Sequence, residues 1–320
     1  MPVVRDFIHL PYTPDLTQGG IACAFRILPN LLFNRQGSPY ERLRRIVAAT
    51  AVEMAFRRYL SENEIPYEVE SPALFTDPER YTVSLRGRRC ELITYMISRP
   101  DQASRIELDP GVLLDVPALV PSDWNAREEH ADRDLYLFAF LPRRVALPQR
   151  ELKEHLEKLG PQFMVHVMDD DWRRPQHWNP LGRLALKSES EAEVNLEIHG
   201  QDGSREFTSC SVCLPSRTRI VVDHPFHAIT SLHADRVPDA RLGMIAEMGR
   251  EMYLIKPAGW ANLWFDGSEI ILAGCLTRGE FRTRAVQVPA GSRVFQFDHT
   301  HVKNLAVPVS SLKPIRRLIE

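Results

Sequence analysis

The chain reads YTVSLRGRRCELITYMI from Tyr81 to Ile97. Two largely apolar runs flank the dipeptide Arg86-Gly87, and a two-residue connection ending in glycine is typical of a tight β-hairpin. The segment therefore predicts two strands joined at this turn. A further apolar run, from Leu135 to Leu141, has no polar interruption and predicts a strand that is buried on both faces.

A long helix is predicted before the hairpin, over residues 39–60. Ser38 is a suitable N-cap and Pro39 a suitable first helical residue. The apolar positions between Leu43 and Met54 then follow the helical period. The helix also carries the acid Glu53.

The helix, the hairpin and the buried strand together resemble the PD-(D/E)XK, or restriction-endonuclease-like, nuclease superfamily. There an Asp opens the hairpin region, and an Asp or Glu followed two residues later by Lys closes it. The resemblance implies an α/β mixed-sheet core whose acids hold Mg²⁺ for phosphodiester hydrolysis. Glu53 matches the acid of the helix and Glu91 the second acid, whereas Thr82 stands at the Asp position and Ile93 at the Lys position.

These two departures from the superfamily motif put metal-dependent nuclease activity in question. Thr82 brings a neutral hydroxyl where the metal needs an anionic ligand, and Ile93 removes the cation that orients the attacking water. Mg²⁺ is therefore expected at Glu53 and Glu91 only if the protein is active. The acids that could replace Thr82 after migration of the site are Asp77, Glu79, Glu68 and Glu70.

Three functions are compatible with this pattern. The favoured one is a nucleic-acid-associated protein with a degenerate Mg²⁺ site, in a DNA-binding or assembly role. The second is an active Mg²⁺-dependent DNA endonuclease with migrated site residues. The third is a protein-interaction protein centred on a β-sandwich, without nucleic-acid binding. Whether the chain is an enzyme stays open among them, as does its oligomeric state.

The predicted helix is the best nucleic-acid feature of the sequence. Its candidate phosphate contacts, which would make binding depend on salt, are Arg42, Arg44, Arg45, Arg57 and Arg58. A solvated charged helix face is the competing explanation. The whole chain is not basic, since 40 Lys and Arg stand against 42 Asp and Glu.

The domain organisation follows from a change of pattern after Leu141. Short alternating stretches, such as residues 193–198 and 219–222, predict a small β-sandwich. Residues 269–281 read as a strand, a turn and a helix start, and they resemble the part of the superfamily core that follows the buried strand. Residues 303–309 resemble its closing strand. We therefore expect an N-terminal arm (1–20), a core in two parts (21–144 and 251–320) and an inserted β-rich domain (145–250).

Composition and the absence of known motifs narrow the classes of protein to which the chain can belong. The 320 residues suffice for a sizeable core, and five cysteines favour a reducing compartment over a disulfide scaffold. Cys210 and Cys213 form a lone C-x-x-C whose thiols would point to opposite faces of a strand. No run of ~20 apolar residues and no signal-peptide region occurs, so a cytoplasmic protein without membrane contact is expected. The absence of a phosphate loop, a G-x-S-x-G elbow and a dinucleotide fingerprint disfavours NTPases, α/β-hydrolases and nicotinamide enzymes.

Overall fold

The computed structural model of the chain describes residues 3–31, 38–70, 82–126, 131–144, 162–247, 251–264, 266–267 and 269–319. Its helices, α1 to α7 in chain order, are Pro14–Ile27, Pro39–Glu62, Pro100–Leu108, Ser122–Asn125, Asp170–Arg173, Arg278–Arg284 and Arg316–Ile319. Its strands, β1 to β19, are Ile8–Pro11, Glu68–Glu70, Thr82–Leu85, Arg88–Ile97, Pro117–Pro121, Leu135–Arg144, Met164–Val167, Leu184–Ser188, Val194–Gln201, Phe207–Leu214, Arg219–Val222, Ala228–Ala234, Leu242–Ala246, Tyr253–Ile255, Ala261–Asn262, Asp266–Gly267, Glu269–Thr277, Val286–Val288 and Asn304–Pro308.

The chain divides into two compact units. The first contains residues 1–20, 45–145 and 266–320, and the second contains residues 21–44 and 146–265. The second unit thus includes residues 21–44 and 251–265, both of which the sequence assigned to the core. Residues 251–265 belong to it through strand pairing, because β14 pairs with β13 and β15 pairs with β7. Residues 21–44 belong to it through contacts such as those of Arg173, which donates to the carbonyl oxygens of Leu28 and Leu31.

The first unit is built on a mixed sheet of order β1-β17-β6-β4-β3-β2, in which β16 also pairs with β6. Strands β4 and β6 run parallel, while β2, β3 and β4 form an antiparallel series. The hairpin between β3 and β4 is confirmed. Its turn residues Arg86 and Gly87 have φ values of 52° and 69°, as a turn matching the twist of the strands requires. The α/β class with a mixed sheet is therefore correct.

Strand β6 lies in the middle of this sheet, and all its residues from Leu135 to Pro142 are buried. The strand predicted at 269–273 does join the first sheet, because β17 pairs antiparallel with β6. The register shifts between Leu272 and Gly274. At Gly274, where φ is 153°, a Cβ would lie 2.8 Å from Cβ of Leu312, so a side chain there would be strained and crowded.

Two expectations for the first unit are wrong. Residues 1–20 are not an irregular arm, because β1 pairs with β17 and α1 begins at Pro14. Ile8 and Leu10 alternate into the interior, which stabilises even a four-residue strand. Strand β19, expected to close the core, instead belongs to a separate three-stranded sheet of order β18-β19-β5.

The second unit contains two antiparallel sheets. Their strand orders are β10-β9-β12-β7-β15 and β11-β8-β13-β14. Side chains of both sheets share one apolar core, which includes Leu196 and Ile229 of the first sheet and Leu184 and Met244 of the second. The predicted β-rich, sandwich-like section therefore exists. The short charged helix expected at residues 149–159 lies outside the described residues.

The long helix predicted at residues 39–60 is confirmed as α2, which ends at Glu62. The Ser38 hydroxyl accepts a hydrogen bond from the N–H of Tyr40, at 3.3 Å. Among the helices that the structure describes, none is long and apolar enough to cross a membrane.

Candidate functional site

Glu91 lies near the start of β4, beside the start of β6. It pairs in register with Tyr136, and both residues belong to the side of the sheet that carries the apolar cluster of Ile93, Tyr95 and Phe138. Thr82 opens β3 opposite Glu70, but its side chain lies outside the described residues. Asp77 and Glu79 also lie outside them, so the migration hypothesis stays a prediction.

A polar cluster lies around Tyr136, the residue that pairs in register with Glu91. Burial, and after it the charge of Glu91, raise the pKa of the Tyr136 hydroxyl to about 12 against the opposing charge of Arg278. The Tyr136 hydroxyl donates a hydrogen bond to Oδ1 of Asn125 at 3.2 Å. Tyr136 is therefore a proton donor at neutral pH and not a base.

Arg278 contributes a buried guanidinium to this cluster. The side chain, 5% exposed, donates through Nε and Nη2 to the carbonyl oxygen of Asn125, at 3.1 and 2.6 Å. Helix α6 holds it there, because Thr277 and Glu280 cap the helix reciprocally. The sequence marked residues 269–281 as a strand and a helix start, but nothing local distinguishes a buried arginine from an exposed one.

Ile93 stands at the position where the sequence resemblance implies a lysine. Only 6% of it is exposed, and it belongs to the apolar cluster of Tyr95, Phe138 and Phe281. An ammonium group at this point would be desolvated by its neighbours. Packing therefore explains this residue, and a vacant cation site does not.

Glu53 lies on α2, in different surroundings from Glu91. The half-buried carboxyl has a pKa that burial raises from 4.5 to about 7, against the opposing charge of Arg57. No buried residue of α2 belongs to the apolar cluster of Ile93.

These surroundings do not fit a Mg²⁺ site. Mg²⁺ takes oxygen ligands in near-octahedral geometry, whereas the charge of Glu91 acts on Tyr136 together with the opposite charge of the Arg278 guanidinium. Within the described ranges, no group of three or more His, Cys, Asp or Glu side chains is arranged to hold a metal ion.

The arginines predicted to meet phosphate are divided between exposed and internal roles. Arg42 and Arg45 are exposed. Arg44 is half-buried, with Nε donating to the carbonyl of Asn262 at 2.9 Å, and burial lowers its pKa. Arg58 donates to Thr13 at 3.1 Å and pairs with Asp15. Arg57 is half-buried and its charge acts on Glu53.

A second group of arginines lies at the turn of the β3–β4 hairpin. Arg86 and Arg88 are exposed there, and Nη2 of Arg86 donates to the carbonyl of Ile319 at 3.3 Å. This bond brings the exposed Arg316 and Arg317 of α7 to the same edge of the first unit. We call Arg86, Arg88, Arg316 and Arg317 the hairpin arginine group. The sequence did not link them, because about 230 residues separate the turn from α7.

A pocket of about 450 Å³ adjoins the hairpin arginine group. Most of its walls are apolar, with contributions from Pro66, Leu85 and Leu318, and its acidic residue is Glu68. Among the described lining residues the arginine is Arg86, and a guanidinium at an apolar hollow suits an anionic ligand that also carries a flat apolar part.

A further cluster of charged groups lies in the second unit. Glu197 of β9 lies between His199, at 3.3 Å from its Nε2, and His233, at 3.7 Å from its Nδ1. The two imidazole rings contact Phe25 and Phe163 at centroid distances of 4.3 and 3.6 Å. Burial is the main cause that lowers the pKa of His233 to about 4. His233 is thus a neutral imidazole near pH 7, stacked on Phe163.

No protein-family model matches the chain, and no curated protein or solved structure matches it either.

Proposed function

We propose that this protein is a nucleic-acid-associated member of the PD-(D/E)XK superfamily, with a restriction-endonuclease-like core and a degraded Mg²⁺ site. The observation that carries the proposal is the mixed sheet of the first unit. It holds the hairpin β3–β4 beside the buried strand β6, with β17 on the other side of β6. This is the arrangement that the resemblance implies for Glu91 and its neighbours.

The surroundings of the matched positions support binding without cleavage. Ile93 is packed in an apolar cluster, and the guanidinium of Arg278 acts on the same tyrosine as Glu91. Removal of one electrostatic partner of a transition state commonly costs about 10²–10³ in rate. The first test compares wild type with Glu91→Ala on single- and double-stranded DNA, in Mg²⁺, in Mn²⁺ and in chelator. Robust cleavage that Glu91→Ala abolishes would establish the active-endonuclease alternative.

The hairpin arginine group is the surface that we propose for nucleic acid, because it collects exposed guanidinium groups from two distant segments. Three or four phosphate contacts would weaken binding by about 40- to 150-fold between about 50 and 200 mM salt. This expectation can be measured by fluorescence anisotropy with a labelled DNA oligonucleotide. No binding at low salt would refute the proposal.

A matched pair of variants locates the surface. Arg88→Glu/Arg316→Glu changes the hairpin arginine group, and Arg105→Glu/Arg133→Glu makes the same charge change at exposed sites elsewhere in the first unit. We expect the first variant to lose more than about tenfold in affinity and the second to lose little. Equal losses would show a dependence on net charge alone and would remove this surface from the proposal.

A protein-interaction role is the second candidate. It is favoured by the edge strand β10 of the second unit, which is uncharged and largely exposed. Nucleic-acid binding at the hairpin arginine group does not exclude such a role.

A further inference from the structure

Strand β10 forms one edge of the five-stranded sheet, and its outward backbone groups can be identified from the register. The carbonyl of Asn195 accepts a hydrogen bond from the N–H of Asp235, so Asn195 and the other odd-numbered residues of β9 face β12. The even-numbered residues of β9 therefore face β10 and pair with its even-numbered residues. The N–H and C=O groups of Phe207, Ser209, Ser211 and Cys213 point away from the sheet.

This edge lacks the features that prevent strand pairing. From Phe207 to Leu214 the strand has eight residues without charge or proline, and its pairing with β9 contains no bulge. The outward residues are all exposed, with Phe207 at 43%. Among the residues that the structure describes, no strand pairs with this edge. A straight, uncharged and exposed edge is a template for another strand.

We propose that β10 pairs antiparallel with β10 of a second copy of this chain, about a two-fold axis. One register uses all four outward residues of each strand. It places Phe207 opposite Cys213 of the second copy and Ser209 opposite Ser211 of the second copy. Each such pair exchanges two backbone hydrogen bonds. An apolar residue then faces an apolar residue and a serine faces a serine, so the sequence of the edge is complementary to itself.

The same register makes a prediction about one cysteine. Cys210 lies on the axis, opposite Cys210 of the second copy, in a pair that exchanges no backbone bonds. The Cα atoms of such a pair are about 4.5 Å apart, within the range that a disulfide spans. Cys213 has no cysteine opposite it, although it is the more exposed of the two. This proposal is independent of the proposed nucleic-acid function.

Sedimentation tests the assembly. We expect full-length wild type to sediment as a dimer of about 73 kDa, twice the chain mass of 36.7 kDa. Ser209→Lys/Ser211→Lys places four ammonium groups at the two-fold axis and is expected to give a monomer of unchanged far-UV circular dichroism. The control Ser204→Lys, in the preceding turn, is expected to remain a dimer. A monomeric wild type at hundreds of micromolar would overturn the proposal and leave this edge to a strand of another protein.

Cross-linking tests the register. Diamide takes up the two protons and two electrons released when two thiols form an S–S bond. We expect diamide to give a covalent dimer with wild type and with Cys213→Ser, and none with Cys210→Ser. A cross-link that persists in Cys210→Ser and disappears in Cys213→Ser would refute this pairing, even if the protein is dimeric.

Discussion

Glu53 is expected to make the folded protein less stable as the pH rises. Its Oε1 is buried and has no hydrogen-bond partner among the described residues, and burial raises its pKa from 4.5 to about 7. Between these pH values the folded state keeps a proton that the unfolded chain has released. The resulting contribution to stability is fully present below pH 4.5 and is lost as the pH rises through about 7.

The size of the effect follows from the rise in pKa. A rise from 4.5 to about 7 corresponds to roughly 3 kcal/mol of unfolding free energy. Since the carboxyl is only half-buried, solvent screening reduces the expected value to about 1–3 kcal/mol. Glu53→Gln keeps the shape of the side chain and cannot ionise. Its unfolding free energy should therefore match that of wild type near pH 4 and exceed it by about 1–3 kcal/mol near pH 8.

The assay is urea unfolding followed by far-UV circular dichroism across this pH range. Glu62→Gln, at the exposed end of the same helix, is the control and should follow wild type at every pH. Parallel pH profiles for wild type and Glu53→Gln would refute the reasoning. Repetition of the assay with Mg²⁺ distinguishes a buried acid from a metal ligand. If Glu53 binds the ion, the difference in unfolding free energy between wild type and Glu53→Gln should lose its pH dependence when Mg²⁺ is present.

Three further predictions concern single side chains. Ile93→Lys should lower the unfolding free energy by more than about 3 kcal/mol, because it buries an unpaired ammonium. The control Ile93→Val should lower it by about 1 kcal/mol. Equal urea midpoints for the two variants would contradict the burial of this position. Tyr95→Phe removes a hydroxyl that donates to the carbonyl of Leu119 at 2.6 Å and accepts from its N–H at 2.5 Å. The expected cost is about 1–3 kcal/mol in urea unfolding, and no cost would mean that these bonds are not formed in solution. His233 has a pKa lowered from 6.5 to about 4, so the unfolded chain binds a proton that the folded state resists, and stability should fall as the pH drops through this range. Thermal unfolding of His233→Gln should show less loss between pH 6.5 and 4 than wild type, and an equal loss would assign the effect to other groups.

The parts of the fold that could be predicted are those with a local cause. The turn at Arg86-Gly87 needs two residues that accept positive φ, and the run from Leu135 to Leu141 has no polar residue that would let it face water. The strand at residues 8–11 has neither signal. It is four residues long, and its partner in β17 lies more than 250 residues away. Likewise, the alternation around residue 305 predicts a strand but does not indicate which sheet it joins.

The residues of the candidate site likewise include some that the sequence could predict and some that it could not. The sequence alone showed an apolar residue, Ile93, where the resemblance implies a lysine, and the burial of Ile93 agrees with an apolar role. The guanidinium of Arg278 near Tyr136 could not be predicted, because tertiary packing brings α6 to the start of β6. The internal contacts of two of the predicted phosphate-binding arginines could not be foreseen for a related reason. Helical spacing shows which residues share a face, but Arg44 and Arg58 are held by carbonyl, hydroxyl and carboxylate groups from distant segments.

The order of strands in the first sheet has a consequence for synthesis on the ribosome. Strand β6 can pair with β4 soon after it emerges, but its other neighbour, β17, follows about 125 residues later. At a translation rate of about 5–20 residues per second, that edge waits about 6–25 s. This strand, whose residues from Leu135 to Pro142 are all buried in the folded protein, is thus open to wrong partners while most of the second unit is being made. Nascent chains stalled before β17 should therefore depend most strongly on chaperones.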